Sequence, residues 1–538
     1  MTVSQPVKAS TSTAATRRPD AAQPTPHRYR VWILRSIAML LAVLLGVYGL
    51  MAMDMGRVNS APIFESGQQV LIQRQEMTQA VDAHLADDHT ASAWRHSGIW
   101  MALMNKATNP QYTYGNDSYF TTSFAHYAQM PKGNMVILSL HNVLGGICML
   151  FGASQFWPAF RRRYPRWHRG FGMTYMVAVQ LAMIMAGTYL YITPIPVIYD
   201  SFSFYVGLWV LVFVVTSSLW MSIYHLTQGQ IAQHQAYMAI NFGALLTAPI
   251  LRYDWILFGM VFPHSTMNTV NFLTAGILLP QSFITGYLLF CVTRGLQTAR
   301  PVVTYRPQPV LATWQRALLG GLLLLIGAGV LTVVNHFIWA PGLAVLNQRL
   351  ALVPAGLAAL DHSVVVDGAA LRQLFTVFTV VALLSGIGLV WSSFIATAQT
   401  VWQRRAALAL ILSSAGSGVI LLIWGWQLGA PSKLTLAGGT HAVMYGVIIL
   451  LFSGLLALAL WRGRAALVKE WGLFLVASVM ATPVFYWILA LLASLPIPSD
   501  YILQGQVYRL AADAGPALLI AMLLYSVYSQ ATAEKFSR

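Results

Sequence analysis

The feature that most constrains this chain is a series of apolar stretches, each about as long as a bilayer's hydrocarbon core is thick. A core about 30 Å thick needs about 20 apolar residues per helix. Twelve stretches qualify, near 31–53, 134–157, 171–193, 204–226, 237–260, 273–293, 317–339, 373–395, 406–426, 440–461, 471–494 and 513–530. The expected fold is an all-α polytopic integral membrane bundle of about twelve transmembrane helices.

Composition and charge agree with that reading. Of the 538 residues, 57% are hydrophobic and 9% charged, against roughly 25% charged in an ordinary soluble domain. A soluble enzyme and a disordered chain are both excluded, and the lipid bilayer becomes the main partner. The net charge of +16, from 32 basic and 16 acidic residues, would suggest nucleic acid only if the basic groups shared one soluble face. They lie instead between spans, so no nucleic-acid partner is expected. With the N-terminus inside, 21 of the 32 basic residues fall in inner segments, including Arg161, Arg162, Arg163, Arg166 and Arg169. The positive-inside rule then puts both termini in the cytoplasm, with the protein in a bacterial cytoplasmic (inner) membrane.

Domain boundaries follow. Residues 1–30 are rich in Ser, Thr, Ala, Pro and basic groups and read as a disordered cytoplasmic tail. Residues 31–53 read as a signal-anchor helix, because the run is long and no small-x-small cleavage site ends it. An extracytoplasmic cap, 54–133, holds His84, His89, His96 and His126, and its stretch 68–85 has amphipathic helical spacing. A five-helix module at 134–296, a cytoplasmic linker at 297–316 and a second six-helix module at 317–538 complete the chain. Each half has one span, an outer loop and five more spans. A local echo, His141-Asn-Val against His441-Ala-Val with Arg162 and Arg462 in the same register, suggests a six-plus-six repeat.

No nucleotide loop, Gly-x-Ser-x-Gly elbow, His-Glu-x-x-His helix or Cys-x-x-Cys pair occurs. Cys148 and Cys291 are far apart inside apolar stretches and read as small core residues. Chemistry therefore falls to ionisable groups at membrane depth, where each is a site hypothesis by default. His141, Arg252 and Asp254 fall at the outer level and form a candidate substrate or proton path. Arg252 and Asp254 are two apart and point in different directions, so each should meet another helix rather than its neighbour. His168, His225 and His234 fall at the inner level, where two imidazoles can hold a haem b iron with arginines near its propionates. His141 and His168 are near opposite faces and cannot share one haem. In the second half His336, His362 and His441 lie at the outer level with Asp361 and Asp513, and His362 with His441 is a further outer pairing.

The run His141, Gly145-Gly146, Gln155-Phe156, Arg161, Arg163, Pro165, His168-Arg169, Gly172 and Tyr175 resembles a bacterial group of predicted membrane proteins, domain-of-unknown-function family 2306. His234, Tyr237-Met238, Thr247 and Arg252 look like a second piece of that pattern, with Gln235 where the family tends to show Arg and Tyr237 where it tends to show Trp. The resemblance covers about residues 130–300. It implies a helical membrane module and no established activity.

Three function classes fit these features. The first is a transporter of an unknown solute, motivated by twelve spans, the repeat, the prolines Pro194, Pro196, Pro249 and Pro280 and the Arg252–Asp254 pair. It takes precedence over a haem b-binding or quinone-linked redox module using helix-end histidines, and over a non-catalytic scaffold or sensor displaying the cap.

Overall fold

In the computed structural model the described residues are 28–64, 98–115, 118, 130–193, 202–297, 313–343, 352–395, 401–429, 438–503 and 505–536, with isolated positions 72, 75, 76 and 79. Among them there is no strand. The first half holds α1 (Arg28–Phe64), the short α2 (Ile99–Ala107) and α3 (Pro110–Tyr114), then α4 (Lys132–Gln155), α5 (Pro158–Arg163), α6 (Pro165–Ile192), α7 (Phe202–Thr227), α8 (Ile231–Leu245), α9 (Thr247–Val261) and α10 (Met267–Gln297). The second holds α11 (Thr313–Val334), α12 (Ala355–Asp361), α13 (Ala369–Ile395), α14 (Val401–Gln427), α15 (Gly438–Trp461), α16 (Ala465–Val479), α17 (Ala481–Ala493), α18 (Ser499–Leu503) and α19 (Gln506–Phe536). Two π-helical turns, Asn335–Trp339 and His362–Val366, extend α11 and α12.

Ten of these helices are long and apolar enough to cross a membrane, and two bent pairs bring the total to as many as twelve. All twelve expected stretches are helical. Large side chains such as Phe213, Leu324 and Leu412 are exposed on the bundle exterior, which suits contact with lipid chains. The first helix starts earlier and ends later than 31–53. The tail before residue 28, His84, His89, His96 and His126, Pro194, Pro196, most of 68–85 and the linker 298–312 lie outside the described residues.

The fifth candidate span of each half is a bent pair of helices. Segments α8 and α9 meet at 40°, and α16 and α17 at 46°. The cause is local. Pro249 and Pro483 have no N–H to donate to the carbonyls of Leu245 and Val479, so the helical ladder restarts. Each proline then sits in the first turn of the new segment, where no donor is required. One residue joins each pair, Leu246 or Met480, at φ −65° and ψ −12° in both cases. Each donates back one turn, Leu246 to Phe242 at 3.0 Å and Met480 to Val476 at 2.8 Å, and each accepts from four residues on at 3.0 Å. Pro280 behaves differently from expectation, because α10 runs through it as one helix.

Helix order therefore matches between the halves, including the interruption. The echo pairing His141 with His441 does not match: His141 lies on α4, the second span of its half, and His441 on α15, the fourth span of the other. A few identities in apolar sequence arise easily without homology, and this one is out of register with the helices.

Small residues let the helices approach closely, as in other membrane bundles. A Cβ on Gly49 of α1 would stand 2.9 Å from the Gly146 carbonyl of α4, and one on Gly243 of α8 would stand 2.9 Å from Gly286 Cα of α10. One continuous core runs through both halves, joining Tyr175, Phe242 and Tyr287 to Phe452, Phe474 and Leu523. Across the seam Trp471 donates to the Tyr287 hydroxyl at 2.9 Å. A smaller core under the cap joins Met51 and Val58 to Trp100, Met104, Tyr112 and Trp255.

Candidate functional site

The smaller core also forms one wall of a cavity. At the cap end Tyr48, Met51, Ala52, Met55 and Asn59 of α1, Trp100 of α2, Leu138 and Asn142 of α4, and Arg252 and Trp255 of α9 surround a cavity of about 70 Å3, part of it open to the exterior. The cap helix is seated by α1, where Asp54 Oδ2 accepts the Ile99 N–H at 2.7 Å. Farther along, the Tyr112 hydroxyl donates to the Trp255 carbonyl at 2.8 Å. These contacts roof the cavity with aromatic rings, Trp100 and Trp255 being 5.4 Å apart.

Arg252 is the cavity's cation. It lies six residues beyond the break at Leu246, about 9 Å along the axis at 1.5 Å per residue. Its guanidinium carbon lies 4.8 Å from the Trp255 ring centroid, within cation–π range. It makes no ion pair among the described residues, and it is within electrostatic reach of Tyr48 and His141. His141 is held by its Nδ1, which donates to the Ala182 carbonyl of α6 at 3.0 Å.

Asp254 does not join them. Its side chain is buried, 5% exposed, and turns to α10, where Gln281 Nε2 donates to Oδ1 at 3.2 Å. Oδ2 has no hydrogen-bond partner. The expected outer group of three thus divides into His141 with Arg252 on the cavity side and Asp254 on the seam side. The divergence of Arg252 and Asp254 follows their two-residue spacing on a helix.

The three inner histidines do approach one another at the opposite end of the bundle. His168 lies within electrostatic reach of His234 and Arg161, and His234 within reach of His225. His234 Nδ1 is 2.8 Å from Ser222 Oγ and donates to the Ser222 carbonyl at 3.1 Å. His225 Nδ1 donates to Gln230 Oε1 at 2.7 Å, and its ring stacks on Tyr237 at 5.3 Å. Buried atoms His168 Nδ1 and His225 Nε2 have no hydrogen-bond partner. Among the described residues no group of three His, Cys, Asp or Glu side chains is placed to hold a metal ion.

A second polar group occupies the cap end of the other half. His441 Nε2 is 2.7 Å from Asp513 Oδ1, and Arg509 Nε is 4.0 Å from Asp513 Oδ2. Beside it Asp361 accepts the Leu343 N–H at 3.0 Å, and burial pushes its carboxyl up to about 6. His336 stacks on Tyr486 at 4.0 Å. Tyr486 stands six residues after Met480, the place that Arg252 holds after Leu246. The expected pairing of His362 with His441 is not formed, since His362 faces Asp367 at the surface, 3.6 Å away, and His441 is inside.

Residues 138–289 match the family model for predicted membrane proteins, DUF2306. No curated protein and no solved structure matches the chain. Within the DUF2306 segment, several motif residues have packing tasks. Gly146 meets α1, Gly172 lies against Gln155, and the Tyr175 hydroxyl donates to Asn241 Oδ1 at 2.7 Å.

Sequence reasoning missed Tyr48, Asn59, Trp100 and Asn142, whose types carry no motif and whose meeting depends on how the cap seats. It also left Arg509 outside the last span. A signal was present: Arg509 and Asp513 are four apart, on one helical face, and α19 starts early enough to carry both, with Arg509 buried and Asp513 partly exposed.

Proposed function

We propose that this multi-pass membrane protein is a transporter whose cap-end cavity binds a small amphipathic anion. The carboxylate or phosphate of that solute sits beside Arg252, and its apolar body lies against Trp100, Trp255, Met51 and Met55. The observation that carries the reading is the interrupted span, recurring at the same place in both halves. In two-half transporters, discontinuous helices at corresponding positions line the solute site, and access alternates as one half rocks against the other. Six spans per half give both halves the same orientation in the membrane. Support for an anion comes from Arg252, a half-buried guanidinium lining a cavity with no carboxylate partner among the described residues. Arginine is the side chain best suited to hold a carboxylate or phosphate through two parallel hydrogen bonds.

The test is a binding titration of the purified protein with benzoate, aliphatic carboxylates, phosphate and phosphate monoesters. Tryptophan emission reports it, because Trp100 and Trp255 line the cavity. At least one ligand should give a saturable change, and Arg252→Gln should weaken it by about 10- to 100-fold, the loss expected for a charge-assisted hydrogen bond. Equal affinity in the variant, or no saturable response to any of these anions, would remove the site.

A second reading is haem b between helix-end histidines. It is favoured by the fixed Nδ1 atoms of His225 and His234, which leave Nε2 lone pairs as ligands, a usual arrangement for metal-bound imidazole. A reduced-minus-oxidised spectrum decides it. Absence of Soret and α bands ends the reading, and bands lost in both His225→Ala and His234→Ala support it.

A further inference from the structure

The seam between the halves holds a buried ionisable group that the cavity does not use. His441 is 2% exposed in the first turn of α15, and Asp513 is its partner on α19 at 2.7 Å. Asp513 is one-third exposed and therefore in contact with the exterior, whereas the imidazole is sealed. The seal is α10 of the first half. A Cβ on Gly276 would stand 2.9 Å from Thr440 Cγ2 and 3.7 Å from His441 Cε1, so only a glycine lets α10 lie this close. His441 Nδ1 is buried without a hydrogen-bond partner. The other titratable groups around the pair are Arg509 and Tyr508 on α19 and Tyr445 on α15, whose hydroxyl donates to the Ala512 carbonyl, with Asp361 of α12 within electrostatic reach of Tyr508. From α10 the contact is Gly276.

We propose that the His441–Asp513 pair is a proton-binding site coupled to the rocking of the halves, so that the transporter carries a proton with its anion. This rests on the transporter reading above. With Asp513 ionised, the His441 Nε2–H donates to Oδ1 and Nδ1 holds a lone pair. Separation of α10 from α15 exposes Nδ1 to water, and the lone pair takes one proton from hydronium. No heavy-atom bond changes, and the site gains one positive charge. His441 Nδ1 has no hydrogen-bond partner in the closed seam, so its added N–H would be a buried, unsatisfied, charged donor, and closing the seam over the protonated pair is costly in a low-dielectric interior. A bound anion in the protein restores neutrality, which links the two ligands.

Two measurements test this separately. The first is histidine 15N NMR of the purified protein over about pH 5 to 8, where an imidazole changes charge. One titrating resonance should vanish in His441→Gln and shift in Asp513→Asn. If His441 holds one protonation state across that range, the proposal is overturned whatever the transport result. The second uses proteoliposomes with benzoate or another anion bound by the wild type. Uptake driven by an acid-outside gradient should fall about tenfold in His441→Gln, the scale of a typical coupling energy, while anion-for-anion exchange persists. Gradient-driven uptake at the wild-type level in His441→Gln overturns the coupling. If the wild type shows neither uptake nor exchange, the transporter reading fails and the coupling with it, while the NMR result still decides whether a proton site exists.

Discussion

Leu246 and Met480 occupy the same place in the two halves of the chain, each joining two segments of a fifth span with the same backbone angles and each followed three positions later by a proline. The correspondence extends outward. Six residues beyond the breaks stand Arg252 and Tyr486. The first span of each half brings an aromatic or imidazole group to that position, Tyr48 near Arg252 and His336 against Tyr486. The same scaffold thus presents a cation in one half and a phenol in the other.

If the breaks are hinges, restoring the missing donor should stiffen them. Pro249→Ala and Pro483→Ala each return one N–H to the ladder at a position with room for helical geometry. Folding should be kept, with a melting temperature equal to or above the wild type. Transport of a bound anion should slow by about tenfold for an added barrier of roughly 1.4 kcal/mol, and more in the double variant. Initial uptake rates at saturating solute measure this.

Asn241 ties three helices of the DUF2306 segment. It accepts from Tyr175 of α6 and donates to the Val215 carbonyl at 2.7 Å and to Ser218 Oγ at 3.2 Å, both on α7. Interhelical hydrogen bonds in membrane proteins average about 0.6 kcal/mol each. Asn241→Leu should cost roughly 1–2 kcal/mol and Tyr175→Phe about 0.6 kcal/mol. Unfolding in mixed micelles checks both, and an unchanged stability in Asn241→Leu would contradict the assignment.

Asp361 sets a pH dependence at the cap end of the second half. Burial raises its carboxyl from 3.8 to about 6, so the folded state holds the proton more tightly than the unfolded chain. The associated stability is fully present below about pH 4 and is lost as pH rises through about 6. The wild type should therefore melt at lower temperature at neutral pH than at pH 5, and Asp361→Asn should flatten that difference. A steeper dependence in the variant would contradict it.

The twelve apolar stretches all fall on the ten single helices and two bent pairs that could cross a membrane, and the two-residue spacing of Arg252 and Asp254 correctly implied their divergence. Local pattern was enough for both. The His168, His225 and His234 approach was also legible, because all three fall at one end of short-looped helices. The cavity was not legible, since it requires α2 to dock on α1 and α9 through Asp54 and Tyr112, contacts many residues apart in sequence. Pro280 showed the limit of proline as a signal. It lies within an unbroken α10, whereas Pro249 and Pro483 sit where a new segment starts.

The most direct test of the central claim is uptake of an anion, first identified by tryptophan titration, into proteoliposomes holding the wild type or Arg252→Gln at matched amounts. The account predicts saturable uptake by the wild type, with an apparent affinity weakened by about 10- to 100-fold in the variant. Uptake of the same anion with unchanged affinity and rate in Arg252→Gln would contradict it.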